Sequence, residues 1–248
     1  MKNSELEKII NKKLNKKKFK DCIYNGLQIE GAKKIKKIIT GVSICKKLIK
    51  IAILKNADAI IVHHGMFWKN KIKNIKNIHK NRLKLILENN INLYCWHAPL
   101  DLDTSIGNNV CIAKKLKIQI KGKINDFLFW GEFKKKINYK KLKNYIKKKY
   151  HRNPFCYNTK FKKKNIKTIS WCSGKGQKFI SDAANFGVDA FLTGEVSEET
   201  MHYVDEYKLY FFSAGHHVTE IDGVKKLGEW IQKKYNIETI FVNIHNPI

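Results

Sequence analysis

Ala57-Asp58-Ala59-Ile60-Ile61-Val62-His63-His64 is the stretch that decides the fold. Its centre, Ala59 to Val62, is short, apolar and bounded by polar residues, the pattern of a strand buried on both faces. Before it, Ile35 to Val42 reads as a strand and Cys45 to Asn56 as a helix. After it, Arg82 to Asn89 reads as a helix and Asn92 to Trp96 as a strand. Strands alternating with helices predict an α/β fold on mainly parallel sheets. Residues 4–14 add an opening helix, with Ser4 and Glu7 as a capping box and Leu6, Ile9, Ile10 and Leu14 as its apolar stripe. Asp21 to Gly31 reads as irregular.

The same order recurs downstream. Ile166 to Cys172 reads as a strand and Gln177 to Asn185 as a helix. Val188-Asp189-Ala190-Phe191-Leu192 then echoes Ala57-Asp58-Ala59-Ile60-Ile61, and Leu209 to Ser213 is a further strand. The strands Asn92 to Trp96 and Leu209 to Ser213 each end before a histidine–carboxylate pair, which is followed by a glycine and a helix. This is an internal duplication of one α/β module. The expected division is a first module over 1–125, an insertion over 126–165 and a second module over 166–248. The insertion carries a strand, Phe127 to Phe133, and a lysine-rich helix, Tyr139 to Tyr150.

Composition narrows the class. Hydrophobic residues make up 43% of 248 residues, enough to bury a sizeable core and to exclude disorder over most of the length. No uncharged apolar run approaches the roughly 18 residues of a membrane span. The charged N-terminus lacks the apolar core of a signal peptide. The six cysteines are scattered, with no C-x-x-C pair, as in reduced thiols. A cytoplasmic protein without a membrane partner is expected. The net charge of +29 suggests nucleic acid at first sight. Yet only Arg82 and Arg152 are arginines, and specific phosphate and base contacts favour the arginine fork. Lys, Ile and Asn fill about two fifths of the chain. Their codons are AT-rich, so mutational bias explains all three, and no specific nucleic-acid partner is expected. The lysine runs at 16–18, 134–136, 147–149 and 162–164 read as solvated faces and loops.

The chemistry lies in histidines and carboxylates. His63 and His64 follow a buried strand, and ligands gather at the carboxyl ends of parallel strands. Their side chains should diverge, so they could serve different metals. His97 with Asp101, and His216 with Glu220, follow their strands at i, i+4 spacing. Three strand ends thus deliver four imidazoles and two carboxylates. This donor set suits two divalent cations per chain, drawn from Zn, Fe, Mn, Co or Ni. His217 is placed to orient a ligand. His79, His151 and His202 read as solvated.

The stretches Ile61 to Trp68 (IVHHGMFW), Trp96 to Asp101 (WHAPLD), Gly187 to Glu199 (GVDAFLTGEVSEE) and Ala214 to Glu220 (AGHHVTE) resemble the GTP cyclohydrolase 1 type 2 homolog family, also called the NIF-three-like family. The resemblance runs from Ser4 to Pro247. It implies two similar α/β modules with a dinuclear metal site in the cleft between them, and a toroidal homohexamer. Carried over position by position, the family's metal ligands fall on His63, His64, His97, Asp101, His216 and Glu220. The family name points to a metal-dependent hydrolase acting on a nucleotide or related small molecule. A non-catalytic, metal-dependent binding or regulatory ring protein is the alternative.

Two further features stand where a substrate could be held. Gly174-Lys175-Gly176 forms a glycine-rich turn before a helix, suited either to binding an anion or simply to turning tightly. Glu195 sits where His63 and His64 sit in the first half, as a catalytic general base or as a structural, ligand-orienting acid. Phe67 and Trp68 serve either to stack a base or to pack the core.

Overall fold

The computed structural model describes residues 1–69, 74–157 and 165–248; the lysine run Lys162 to Lys164 lies outside them. The chain starts with α1 (Asn3–Lys13), β1 (Gly26–Ile29), β2 (Lys37–Ser43), α2 (Lys46–Leu54), β3 (Ala59–His64), α3 (Asn77–Glu88), β4 (Asn92–Cys95) and α4 (Ala98–Leu102). It continues with α5 (Asn108–Leu116), β5 (Ile118–Lys123), β6 (Phe129–Ile137), α6 (Tyr139–Tyr150), β7 (Phe155–Tyr157) and β8 (Ile166–Trp171). Then come α7 (Ile180–Phe186), β9 (Ala190–Thr193), α8 (Thr200–Tyr207), β10 (Tyr210–Ser213) and α9 (His216–Thr219). It closes with α10 (Ile221–Tyr235) and β11 (Glu238–Phe241).

Two compact units result. Unit 1 comprises Met1–Gly107 and Ile221–His245; unit 2 comprises Asn108–Glu220 and Asn246–Ile248. The sheet of unit 1 has the order β1-β4-β3-β2-β11, with β4, β3, β2 and β11 parallel and β1 antiparallel at one edge. Period-two alternation sorts its core. Ile38, Val42, Ala59, Ile61, Tyr94 and Trp96 face α1 and α10, whose Leu6, Ile10, Val224, Leu227 and Ile231 complete one apolar layer. Ile39, Ile60, Val62, Leu93 and Cys95 face Leu48, Ile49 and Ala52 of α2 and Ile86 of α3.

The sheet of unit 2 runs β5-β6-β8-β9-β10-β7, with β8, β9 and β10 parallel. One face buries Phe191 and Phe211 with Ile180 and Ala183 of α7 and Val204 of α8. On β10, Tyr210 and Phe212 each stand 5.4 Å from the Tyr139 ring of α6.

The duplication has a physical counterpart. Asp58 accepts hydrogen bonds from the Lys36 and Lys37 N–H groups, at 2.7 and 3.0 Å, where β2 begins. Asp189 accepts from the Lys167 and Thr168 N–H groups, at 2.8 and 2.9 Å, where β8 begins. The echoed aspartates thus perform one task, tying the start of the middle parallel strand to its neighbour.

The structure redraws the expected division. Residues 221–245 return to unit 1, because β11 pairs in parallel with β2 and the apolar stripe of α10 fits against β2. Residues 108–125 fall in unit 2, where α5 leads into β5. The described part of 126–165 is no separate insertion: β6 pairs with β8, and β7 with β10. Such pairings join distant residues and leave no local signal. Part of Asp21 to Gly31 is strand β1, paired with β4. Glu7 does not close a capping box but accepts the Leu27 N–H at 3.2 Å, at the start of β1.

Asp189→Ala should destabilise the protein by about 2 kcal/mol, within the range for hydrogen bonds to a charged group. Asp189→Asn, which keeps one acceptor oxygen, should cost less. Urea unfolding of both variants checks this ordering.

Candidate metal centre

In unit 1, β3 runs through His63 and His64 rather than ending before them. Alternation gives the two side chains opposite faces of the sheet. Their ring centroids are nevertheless 4.6 Å apart, and His97 lies 4.9 Å from His63 and 5.6 Å from His64. The expected divergence is therefore corrected: at the strand's end the three imidazoles converge. Their ligand atoms lie within 4.8 Å of one another. His97 sits immediately before α4, and Asp101 follows one helical turn later, its Oδ1 3.5 Å from His63 Nε2.

Each ring is held from behind. His63 is fully buried, and its Nδ1 donates to the Trp96 carbonyl at 3.1 Å. That bond fixes the tautomer with the lone pair on Nε2. His64 Nδ1 lies 2.9 Å from Ser43 Oγ. His97 Nδ1 donates to Asp21 Oδ1 at 2.9 Å. Asp21 also accepts from the Asn25 side chain and the Ala98 N–H, both at 2.8 Å. Burial pushes the Asp21 carboxyl up, but the His97 ring and these donors outweigh it and hold it well below the usual carboxylate range. Trp68 closes one side, edge-on to His97 at 5.4 Å. Phe67 and Trp68 both pack against the core of unit 1.

Unit 2 repeats the theme with a shorter helix. Gly215 precedes α9, so His216 opens the helix and the buried Glu220 follows its end. His216 Nε2 is 3.0 Å from Glu220 Oε2, and His216 Nδ1 is 2.6 Å from Glu195 Oε1. Burial lowers the His216 pKa, but the Glu220 and Glu195 carboxylates overcome this and hold it up to about 9. In the metal-free protein the protonated ring thus offsets part of the charge of two carboxylates, at a place where a divalent cation could offset it in full. Glu195 holds the His216 ring, as Asp21 holds that of His97. His217 is buried, and its backbone N–H donates to the Ile248 carbonyl at 2.9 Å.

The glycine turn has a specific duty. Gly174 has φ +59°, and a Cβ there would run into the Glu220 carboxylate and come within 3.1 Å of His216 Nε2. The Gly174 N–H donates to Thr219 Oγ1 at 3.0 Å and the Gly176 N–H to Thr193 Oγ1 at 2.9 Å. The turn therefore spends these two backbone donors on its own framework, and Lys175 is exposed. Among the other histidines, His151 and His202 are exposed as expected, whereas His79 is half-buried.

The donor set fits a metal. Unit 1 offers three imidazoles and a carboxylate, unit 2 an imidazole and a carboxylate, a mixture that borderline first-row cations accept. A carboxylate or carbonyl behind a ligating imidazole is the common outer support of such sites. Asp21, Asn25 and Ser43 support the candidate ligand rings, and the sequence reading does not find them. Asp21 meets its partner across 76 residues, with no spacing to announce it.

The sequence pattern of the family described as Duf34/NIF3 (NGG1p interacting factor 3) matches residues 1–247. A protein of Buchnera aphidicola subsp. Baizongia pistaciae named "GTP cyclohydrolase 1 type 2 homolog" is 54% identical over 248 residues, covering 100% of both chains. A protein of Escherichia coli strain K12 with the same name is 44% identical, again over 100% of both. The solved structure of protein ybgI, whose function is given as unknown, superposes with a TM-score of 0.98 at 43% identity over 100% of both chains.

Asp21→Asn and Glu195→Gln should each weaken metal binding by about 10- to 100-fold, because the ring behind the ligand atom loses its support. Chelator competition measures the loss, and circular dichroism should show an intact fold. The His216 pKa has a separate readout. It is raised from about 6.5 in the unfolded chain to about 9, so its pairing stabilises the metal-free protein fully below about pH 6.5. That contribution disappears as the pH rises through about 9. NMR titration of the His216 ring in chelator-treated protein should show the raised value, and Glu220→Gln should lower it.

Proposed function

The chain belongs to the Duf34/NIF3 family, and on that premise we propose that it is a dinuclear metal-dependent hydrolase acting on a nucleotide or a related small molecule. The observation that carries the reading is the convergence of His63, His64 and His97 with each Nδ1 engaged from behind. Two divalent cations per chain are proposed, with His63, His64, His97 and Asp101 as ligands in one unit and His216 and Glu220 in the other. Cations held there would supply Lewis acidity toward an oxygen of the substrate. The protein's own part is positional. Asp21 and the Trp96 carbonyl fix two rings, Glu195 fixes a third, and Trp68 packs edge-on against the His97 ring. The nucleotide class rests on the name of the relatives, which speaks of GTP.

One observation favours a second reading, a metal-dependent binding or regulatory protein without turnover. Glu195, the acid offered as a general base, is engaged with His216. A toroidal homohexamer in the cytoplasm belongs to both readings. In favour of the location are the six cysteines, none of which forms a disulfide among the described residues.

Metal analysis joined to a panel of nucleotide hydrolysis assays tests the proposal. Two ions per chain and turnover are expected. One ion or none after reconstitution with excess Zn, Mn or Fe would overturn the dinuclear reading, and two ions without turnover would establish the second. Asp101→Asn and Glu220→Gln should each lower turnover at least 100-fold while leaving the fold intact. Light scattering should give six times the chain mass of 29.0 kDa.

A further inference from the structure

Helix α3 places His79 and Arg82 three residues apart, on one face. Both line a cavity of about 420 Å³ in unit 1, whose other walls are Ser43, Ile44, His64, Gly65, Met66 and Trp68. His79 Nδ1 and Arg82 Nε are buried and have no hydrogen-bond partner among the described residues. Buried polar atoms are nearly always paired, so two such atoms on side chains that line one cavity point to a ligand. No carboxylate is among the cavity's described lining residues, although Arg82 brings a permanent positive charge to it. Two of the chain's 50 basic residues are arginine, and one of them stands here. Arginine presents a planar fork of donors that grips an oxyanion at two points, whereas lysine presents a single point of charge.

The Ser43 hydroxyl adds a further polar group, 2.9 Å from His64 Nδ1. A fork and an imidazole from α3, joined by a hydroxyl from the end of β2, suit a tetrahedral oxyanion better than a planar carboxylate. We propose that this cavity is the anchor for a phosphoryl group of the substrate, held by Arg82 and His79 beside the candidate metal ligand His64. The proposal rests on reading the unit 1 histidines as a metal centre, and it adds a substrate class and two residues that touch the substrate. The half-buried placement of His79, against its solvated appearance in the sequence, is part of the same arrangement.

The test uses the full chain stripped of metal, titrated with inorganic phosphate and followed by calorimetry and ³¹P line broadening. Wild type should bind phosphate at one site. Arg82→Gln should weaken binding at least tenfold, His79→Ala several-fold and Arg82→Lys to an intermediate degree. Lys84→Gln removes the same charge from an exposed position on the same helix and should change the affinity less than twofold. If Arg82→Gln loses the native circular dichroism, Arg82→Lys decides, because it keeps the charge and the bulk. Unchanged affinity in Arg82→Gln, an equal loss in Lys84→Gln, or acetate binding as tightly as phosphate would each overturn the proposal. Metal content is measured separately on reconstituted protein and should be unaltered in Arg82→Gln. Phosphate binding that depends on Arg82 in a protein that takes up no metal would retain the anchor and remove the hydrolase reading.

Discussion

An imidazole has two nitrogens, and the candidate centre depends on what happens to the one that faces away from it. Held at Nδ1 by an acceptor, the ring can neither spin nor change tautomer, so Nε2 becomes a fixed donor atom. The Trp96 carbonyl does this for His63, Asp21 for His97 and Glu195 for His216. Each of these supports must itself be immobile. Asp21 is clasped by Asn25 and the Ala98 N–H, which ties the loop before β1 to the turn between β4 and α4. The Trp96 carbonyl belongs to the end of a buried strand. The parallel sheet matters because it presents adjacent strand ends, β3 and β4, at a spacing one metal coordination sphere can span.

The two units solve this problem with one plan and different parts. Asp58 and Asp189 join the same pair of strands in each sheet, and both third strands lead into a short helix whose ends carry a histidine and a carboxylate. The middle strand differs. In unit 1 it ends in two imidazoles, whereas in unit 2 it leads through Gly194 to Glu195, which supports His216. A position that offers candidate ligands in one copy thus offers a support in the other. The small residue at Gly174 has no counterpart in this scheme; it is the space that lets the Glu220 carboxylate lie against the turn.

Much of this is legible in the sequence. The β2-α2-β3 order and the β8 to β10 order show through, because buried parallel strands are apolar runs and their helices carry a 3.6-residue stripe. Helix α6 has the bounds its pattern gives, and the six proposed ligands declare themselves by lying at strand ends. What stays hidden is long-range. Asp21 reads as an isolated acid in a lysine-rich stretch, yet its partner is 76 residues away. The β11–β2 pairing joins residues near opposite ends of the chain, so the division between units cannot be read along it. His79 looks solvated because its neighbours in sequence are polar, while the cavity it faces is built by β2, β3 and the loop beyond.

The path of the chain has a consequence for its manufacture. Unit 1 is split: its first part ends at Gly107 and its last resumes at Ile221. On a ribosome, β2 therefore waits with an unpaired edge, and Leu6, Ile10 and Ile38 wait without Val224, Leu227 and Ile231, while all of Asn108–Glu220 is made. At elongation rates of about 5–20 residues per second that interval is on the order of ten seconds. Unit 2 emerges in almost one piece and can fold during it. The nascent protein thus carries a bare apolar face and an open strand edge throughout the interval, the two features that recruit holding chaperones and invite aggregation when none is at hand.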